Sequence, residues 1–268
     1  VGTDRVATGK DFDLGGALKS NKVRHLDGER AAALAAALRA HLPWTVTSVE
    51  ERPAAERPEP PFTTSTLTQE ASRKLGYSTE RTMQIAQRLF QGMDIGGGEL
   101  EGVITYHRTD STTLSDKALG EAARVIGEIF GAAYYGGPRR YQTRVKNAQE
   151  AHEAIRPTDF RLTPQRLAGL LESDELRLYE LIWKRTMASQ MVDARVRRTS
   201  IEITGQGASD EPCIFTASGK VYEFAGFRQA YVEGSDDPQA EIEDQETVLP
   251  ACRVGDRVVA ASSGGGAE

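Results

Sequence analysis

The pattern of apolar and polar positions changes period twice along the chain. Residues 1–28 are polar and rich in Gly and Asp, and predict loop with one or two short strands. Ala31 to Ala40, opened by Gly28-Glu29-Arg30, is a run of strong helix formers that Pro43 closes. Trp44 to Glu50 alternates loosely and is β-branched, which predicts a strand. Residues 51–61 then carry four of the eleven prolines and predict a stiff connector with a domain boundary at its end.

Beyond the connector the period is helical. A helix is predicted from about Leu67 to Leu75, stopped by Gly76, and a second over Thr82–Phe90 with Ser78 as its N-cap. The pair has the outline of a helix-turn-helix, an outline that any helical hairpin shares. Residues 91–101 predict a flexible loop. Its triple glycine lacks the Gly-Lys-Ser/Thr lead into a helix that a phosphate-binding loop needs. Ser115 caps a helix running to about Phe130, with Leu119, Ala122, Ala123, Ile126 and Ile129 as its buried face. Residues 139–147 are basic and extended, Pro164 and Leu167–Leu171 suit a short helix, and 174–191 a long amphipathic one.

From Ala194 the period turns to two. Strands are predicted at 195–204, at Pro212–Ala217, at Val221–Phe224 after a tight turn at 218–220, and at 254–261. One helical turn is expected at 225–231, an acidic loop at 233–247 and a linker tail at 263–268. The layout is an α+β multidomain chain. A β-rich domain (1–60 and 192–262) is split in sequence by an inserted all-α, helix-turn-helix-like domain (61–191).

Composition narrows the class. With 39% hydrophobic and 27% charged residues this is an ordinary globular chain. No apolar run approaches the roughly 20 residues of a membrane span, so no membrane partner is expected. Two distant cysteines, Cys213 and Cys252, predict reduced thiols in a cytoplasmic protein, and no Cys/His spacing suits zinc. A start at Val suggests a piece of a longer chain.

The net charge of −6 argues against nucleic acid, because phosphate binding leaves a basic footprint. The distribution qualifies that. Residues 61–185 hold 17 Lys/Arg against 16 Asp/Glu, and 139–156 hold five against two. The acid lies outside the middle of the chain.

The candidate chemistry sits at Gly102-Val-Ile-Thr-Tyr-His-Arg-Thr-Asp-Ser-Thr112, where an apolar run ends in a phenol, an imidazole, a guanidinium and a carboxylate. A phenol of ordinary pKa about 10 needs a cation or base to attack a phosphodiester. In an extended segment Arg108 projects from the same side as Tyr106, and its planar guanidinium suits two phosphate oxygens. His152 can donate from its ring, and Thr105, Thr109 and Ser111 add hydroxyls. The residues alone leave a second reading open, in which Tyr106 is a half-buried core tyrosine and Arg108–Asp110 a local ion pair.

The segment Ile104–Ser111 resembles the active-site tyrosine motif of bacterial type IA DNA topoisomerases. Pro61-Phe-Thr-Thr-Ser-Thr-Leu67, Thr82–Phe90 and Ala151-His-Glu-Ala-Ile-Arg-Pro-Thr158 are similar to the family's other segments, in the family's order. Tyr179–Trp183 and the strands after it fit as well. The segment with Glu153 and Arg156 is closer to topoisomerase I than to topoisomerase III. His107 departs from the family, which usually carries Met there.

The resemblance implies a fold and a mechanism. The split β-rich domain would be the family's arch or hinge, and the inserted domain would carry the nucleophile. Tyr106 would cleave single-stranded DNA, leaving a 5′-phosphotyrosine and a 3′-hydroxyl, and resealing would follow strand passage without ATP. Arg108 would bind the scissile phosphate, with His152, Thr105 and Asp110 in support. Gln87, Arg88, Thr109, Ser111 and Arg156 would contact DNA. Mg²⁺ would be bound by a toprim domain outside this chain, so no metal ligand and no cofactor is expected within it. Its partners would be single-stranded DNA and the toprim and remaining gate domains of the same polypeptide.

Overall fold

A computed structural model describes residues 1–2, 4–141, 152–207, 211–231 and 247–259. The sequence-based expectations for the linker tail 263–268, for most of the acidic loop 233–247 and for most of the basic stretch 139–147 lie outside the described residues. The chain is mixed α/β. It divides into two compact units, one of Val1–Pro53, Arg197–Val221 and Thr247–Glu268, the other of Ala54–Val196 and Tyr222–Glu246.

In the first unit β1 (Arg5–Val6) pairs in parallel with β2 (Val23–Arg24). Helix α1 (Gly28–Ala40) starts one turn earlier than its alanine run, because Asp27 accepts a hydrogen bond from the Arg30 amide and so satisfies an orphan donor. The main sheet has the hydrogen-bonded order β7–β6–β3–β8. Its strands are β3 (Trp44–Glu56), β6 (Ala194–Gln206), β7 (Pro212–Phe224) and β8 (Arg257–Val258). Among the described residues of this unit, Leu38 of α1 and Val46, Ile201 and Cys213 of the sheet are the buried apolar ones. Gly205 belongs in this packing. A Cβ there would come within 2.9 Å of the Trp44 ring and 3.0 Å of Leu38.

Two sequence expectations fail in the sheet. Strand β3 runs on through Pro53, which was read as connector. Its β8 neighbour pairs only with Trp44 and Thr45, so a proline farther along interrupts no ladder on that side. Strand β7 is continuous where a turn at 218–220 was expected. Gly219 serves close approach: a Cβ there would sit 2.6 Å from the Thr247 carbonyl, and Lys220 and Thr247 exchange backbone hydrogen bonds of 3.0 Å.

The second unit holds α2 (Thr64–Leu75), α3 (Thr79–Gln91), α4 (Asp116–Ile129), α5 (Pro164–Leu167) and α6 (Ser173–Gln190). Helix α6 packs against the other four and is buried nearly all round. Sequence periodicity made it amphipathic, because its inward polar groups pair locally. Thr186 donates to the Ile182 carbonyl, Ser189 to that of Thr186 and Trp183 to that of Phe160. Helix α2 begins three residues before Leu67, where Thr63 accepts from the Thr66 amide. Gly76 ends it at φ 68° and Ser78 caps α3. The buried stripe of α4 is Ala118, Leu119, Ala122, Val125 and Ile126, and Ile129 lies exposed at its last residue.

The stretch 91–101 is more ordered than expected. Met93–Asp94 (β4) and Leu100–Glu101 (β5) form a two-residue antiparallel ladder. The apolar run 103–106 makes only an isolated bridge, Ile104 to Pro157. The ladder goes no further because the Val103 amide donates to the Leu89 carbonyl and the Arg156 amide to the Thr105 hydroxyl instead of across it.

Gly226 enters a short 3₁₀ turn at φ +53°, and a Cβ there would lie 2.5 Å from the Asp193 carbonyl. Gly226→Ala therefore meets both a strained φ and a backbone clash. It should lower the stability of the second unit by more than about 1 kcal/mol, read as a reduced urea midpoint; an unchanged midpoint would show that the turn relaxes freely.

Candidate active site

The nucleophile candidate stands at the end of a clamped segment. The Val103 amide donates to the Leu89 carbonyl at 2.8 Å, at the end of α3. Gly102 lies so close to that helix that a Cβ would be 2.5 Å from the Phe90 carbonyl oxygen. On the other side the Thr105 amide donates to the Arg156 carbonyl at 2.9 Å, and the Thr158 amide to the Val103 carbonyl at 3.0 Å. The Thr105 hydroxyl donates to the Ala154 carbonyl at 2.7 Å and accepts from the Arg156 amide at 3.0 Å. Val103 and Ile104 are buried.

After the clamp, burial alternates. Tyr106, Arg108 and Asp110 are exposed, whereas His107, Thr109 and Ser111 are buried. The chain bends at His107–Arg108, so the straight extended segment expected from sequence is replaced by a turn. Thr64 on α2 holds that turn. Its hydroxyl lies 2.8 Å from the His107 carbonyl and accepts from the Thr109 amide at 2.9 Å. The Thr109 and Ser111 hydroxyls accept the amides of Ser111 and Thr113. Three segments distant in sequence thus fix one exposed phenol and one exposed guanidinium.

Rings surround the phenol. Tyr106 is 39% exposed, and its ring centroid lies 5.4 Å from that of Phe90, 5.5 Å from that of His107 and 5.4 Å from that of His152. His107 is fully buried, and neither ring nitrogen has a hydrogen-bond partner. Burial, and secondarily the Arg108 charge, hold its pKa below the usual 6.5, so the ring is neutral.

The other sequence candidates divide. Arg156 is 11% exposed at its side chain and lies 2.5 Å from Glu153, whose other oxygen accepts the Ser115 amide at 2.5 Å, at the N-cap of α4. Burial alone would raise the Glu153 pKa, but hydrogen bonds from Arg156 and Ser115 outweigh it and the carboxyl sits below 4.5. Arg88 places its Nε 2.7 Å from the buried Glu175, with nearly half of its side chain still exposed. Gln87 is half-buried one residue earlier on α3. In the described part of the basic stretch, Arg139 pairs with Asp193 at 2.6 Å and Arg140 with Asp116 at 2.5 Å. Periodicity puts Phe90 in the core-facing stripe of Thr82–Phe90, whereas the ring is 37% exposed because it falls just off the face of Ile85, Ala86 and Leu89. It gives Thr64 and Glu153 no role. Only the match of their segments to the family's could have marked them, since neither periodicity nor charge does. Among the described residues, no group of three or more His, Cys, Asp and Glu side chains could hold a metal ion. No described helix is long and apolar enough to cross a membrane.

An exposed tyrosine thus stands beside an exposed arginine on a backbone held by α3 and by 154–158. Comparison with known proteins supplies the family. The family model for DNA topoisomerase matches residues 5–264. The chain belongs to the type IA DNA topoisomerase family. It is 51% identical over 261 residues to DNA topoisomerase 1 of Mycolicibacterium smegmatis, covering 96% of this chain and 27% of that protein. To DNA topoisomerase 1 of Streptomyces coelicolor it is 49% identical over 257 residues, covering 96% and 26%. A solved structure of full-length topoisomerase I from Thermotoga maritima superposes with a TM-score of 0.69 at 31% identity, over 90% of this chain and 36% of that one. The chain spans about a quarter of the length of the curated relatives it matches.

The buried neutral imidazole sets a pH dependence. Its folded pKa is depressed, so the unfolded chain binds the extra proton first as pH falls below 6.5. Stability should decline from about pH 6.5 downward, and His107→Met should flatten that decline in urea titrations between pH 7 and 5. Parallel curves for the two proteins would remove His107 as the cause.

Proposed function

We propose that this chain carries the nucleophile and arch of an ATP-independent type IA DNA topoisomerase. The observation that carries this reading is the exposed Tyr106–Arg108 pair on a backbone fixed from both sides. The Tyr106 phenolate oxygen attacks the phosphorus of a single-stranded DNA phosphodiester. A Tyr–O–P bond forms and the bond to the 3′-oxygen breaks, giving a 5′-phosphotyrosine and a 3′-hydroxyl that takes up a proton. Arg108 offsets charge on the phosphate in the transition state. His152 orients the phosphate from beside the phenol ring, and Asp110 stands at the exposed edge of the turn. Thr105 supports the reaction through the backbone it ties down. Gln87, Arg88, Thr109, Ser111 and Arg156 are the positions from which this surface holds the strand. Of these, Arg156 acts through Glu153, and Thr109 and Ser111 act through the turn.

The reverse attack by the 3′-hydroxyl restores the phosphodiester, so its bond energy is retained and no nucleotide is consumed. On this reading Mg²⁺ belongs to a toprim domain beyond these residues. Relaxation of negative supercoils in the cytoplasm is then the work of the longer enzyme.

Two measurements test the assignment. In a toprim-bearing enzyme carrying this chain, Tyr106→Phe should abolish trapped 5′-linked DNA, and Arg108→Ala should slow cleavage by about 10²-fold or more. Covalent DNA from the Tyr106→Phe protein sinks the nucleophile. The 268-residue chain alone should leave negatively supercoiled plasmid unrelaxed with Mg²⁺ present, and relaxation by it would overturn the division of labour.

A further inference from the structure

Phe90 is the one large apolar residue of α3 that is exposed. The stripe Ile85, Ala86 and Leu89 is 0–1% exposed, while Phe90 next to it is 37% exposed. An aromatic ring left in water at the end of a well-packed helix contributes little to that core. Its position is nonetheless fixed. The Phe90 carbonyl lies against Gly102, where no side chain would fit, and the preceding carbonyl accepts the Val103 amide. Phe90 and Tyr106 therefore ride on the same clamp. Their rings stand 5.4 Å apart at 66°, and the His152 ring also lies 5.4 Å from the phenol. The phenol thus neighbours two other exposed rings.

We infer that Phe90 is a stacking platform for a nucleobase flanking the phosphate that Tyr106 attacks. The inference rests on the assignment of Tyr106 as nucleophile. A phosphate brought to the phenol carries its neighbouring nucleotides past the adjacent ring. Phenylalanine offers a π-face and no hydrogen-bonding group, so it holds a base without reading which base it is. That chemistry suits an unpaired strand, whose bases are free to stack, and not a duplex, whose bases are already stacked. Phe90 is thus a positioning residue that sets where along the strand the phosphate comes to rest.

The test uses a toprim-bearing enzyme carrying this chain, with Tyr106→Phe added so that binding is read without cleavage. Affinity for a short single-stranded oligonucleotide is measured by fluorescence anisotropy. Phe90→Ala should weaken binding by about 5- to 100-fold, and Phe90→Trp should restore it. Phe90→Leu keeps apolar volume without the π-face and should weaken binding like Phe90→Ala, which separates stacking from packing should the alanine variant fold poorly. An abasic nucleotide beside the scissile phosphate should erase the difference between Phe90→Ala and its parent. Equal binding by parent, Phe90→Ala and Phe90→Leu overturns the inference, as does an undiminished loss with abasic nucleotides on both sides. Covalent DNA from Tyr106→Phe alone would overturn the nucleophile assignment, a result the anisotropy series does not produce.

Discussion

The arrangement around Tyr106 depends on one constraint: residues 102–105 are pinned between the last turn of α3 and the segment 154–158. A regular sheet would pin them too, but it would also pass every following residue into a ladder. Here the ladder stops because the donors on either side of the bridge are spent elsewhere, the Val103 amide on the Leu89 carbonyl and the Arg156 amide on the Thr105 hydroxyl. The chain is therefore held rigidly up to Thr105 and released into a turn. Buried apolar residues, Val103 and Ile104, pay for the polar turn by anchoring it. An exposed phenol on a loose loop would lose orientation, and one inside a strand would lose access. The clamp supplies both.

The turn itself is built by hydroxyls. Thr64, Thr109 and Ser111 use their side chains on backbone groups between residues 107 and 113. Such local bonds replace the ladder bonds that the bend breaks. His107 is the exception, a buried ring with two unsatisfied nitrogens, 5.5 Å from the Tyr106 ring. A thioether or hydrocarbon there would incur no such cost, since only a polar group is penalised for lacking partners. The imidazole is tolerated because it stays neutral, and Arg108 next to it favours that state.

Local features were legible in the sequence and long-range ones were not. Gly76, Ser78 and Ser115 announced their helix boundaries because caps are short-range chemistry. The order and type of most elements followed from periodicity. Gly219 misled, because glycine marks both a turn and a close backbone approach, and only the partner at Thr247 distinguishes them. The Pro-rich stretch misled for a related reason: whether a proline breaks a strand depends on which side lacks a neighbour. The site was visible as a cluster of residue types at 105–110. Its division into exposed Tyr106, Arg108 and Asp110 and buried His107, Thr109 and Ser111 required Thr64, forty residues or so upstream. Nothing between them in sequence signals that contact.

Charge adds a last constraint. A chain at −6 has no general attraction for a polyanion. Several of its cations are engaged as well: Arg88 with Glu175, Arg139 with Asp193, Arg140 with Asp116 and Arg156 with Glu153. Those pairs hold elements together, and breaking one to reach a phosphate would leave a partly buried carboxylate uncompensated. On the proposed function, recognition of a strand by this surface would therefore rest on a few groups near Tyr106, with Arg108 exposed beside the phenol, and on contacts that carry no charge. Exposed rings at 90, 106 and 152 are contacts of that kind. On the proposed function, a surface that grips weakly by field and by stacking without regard to base favours unpaired DNA over duplex.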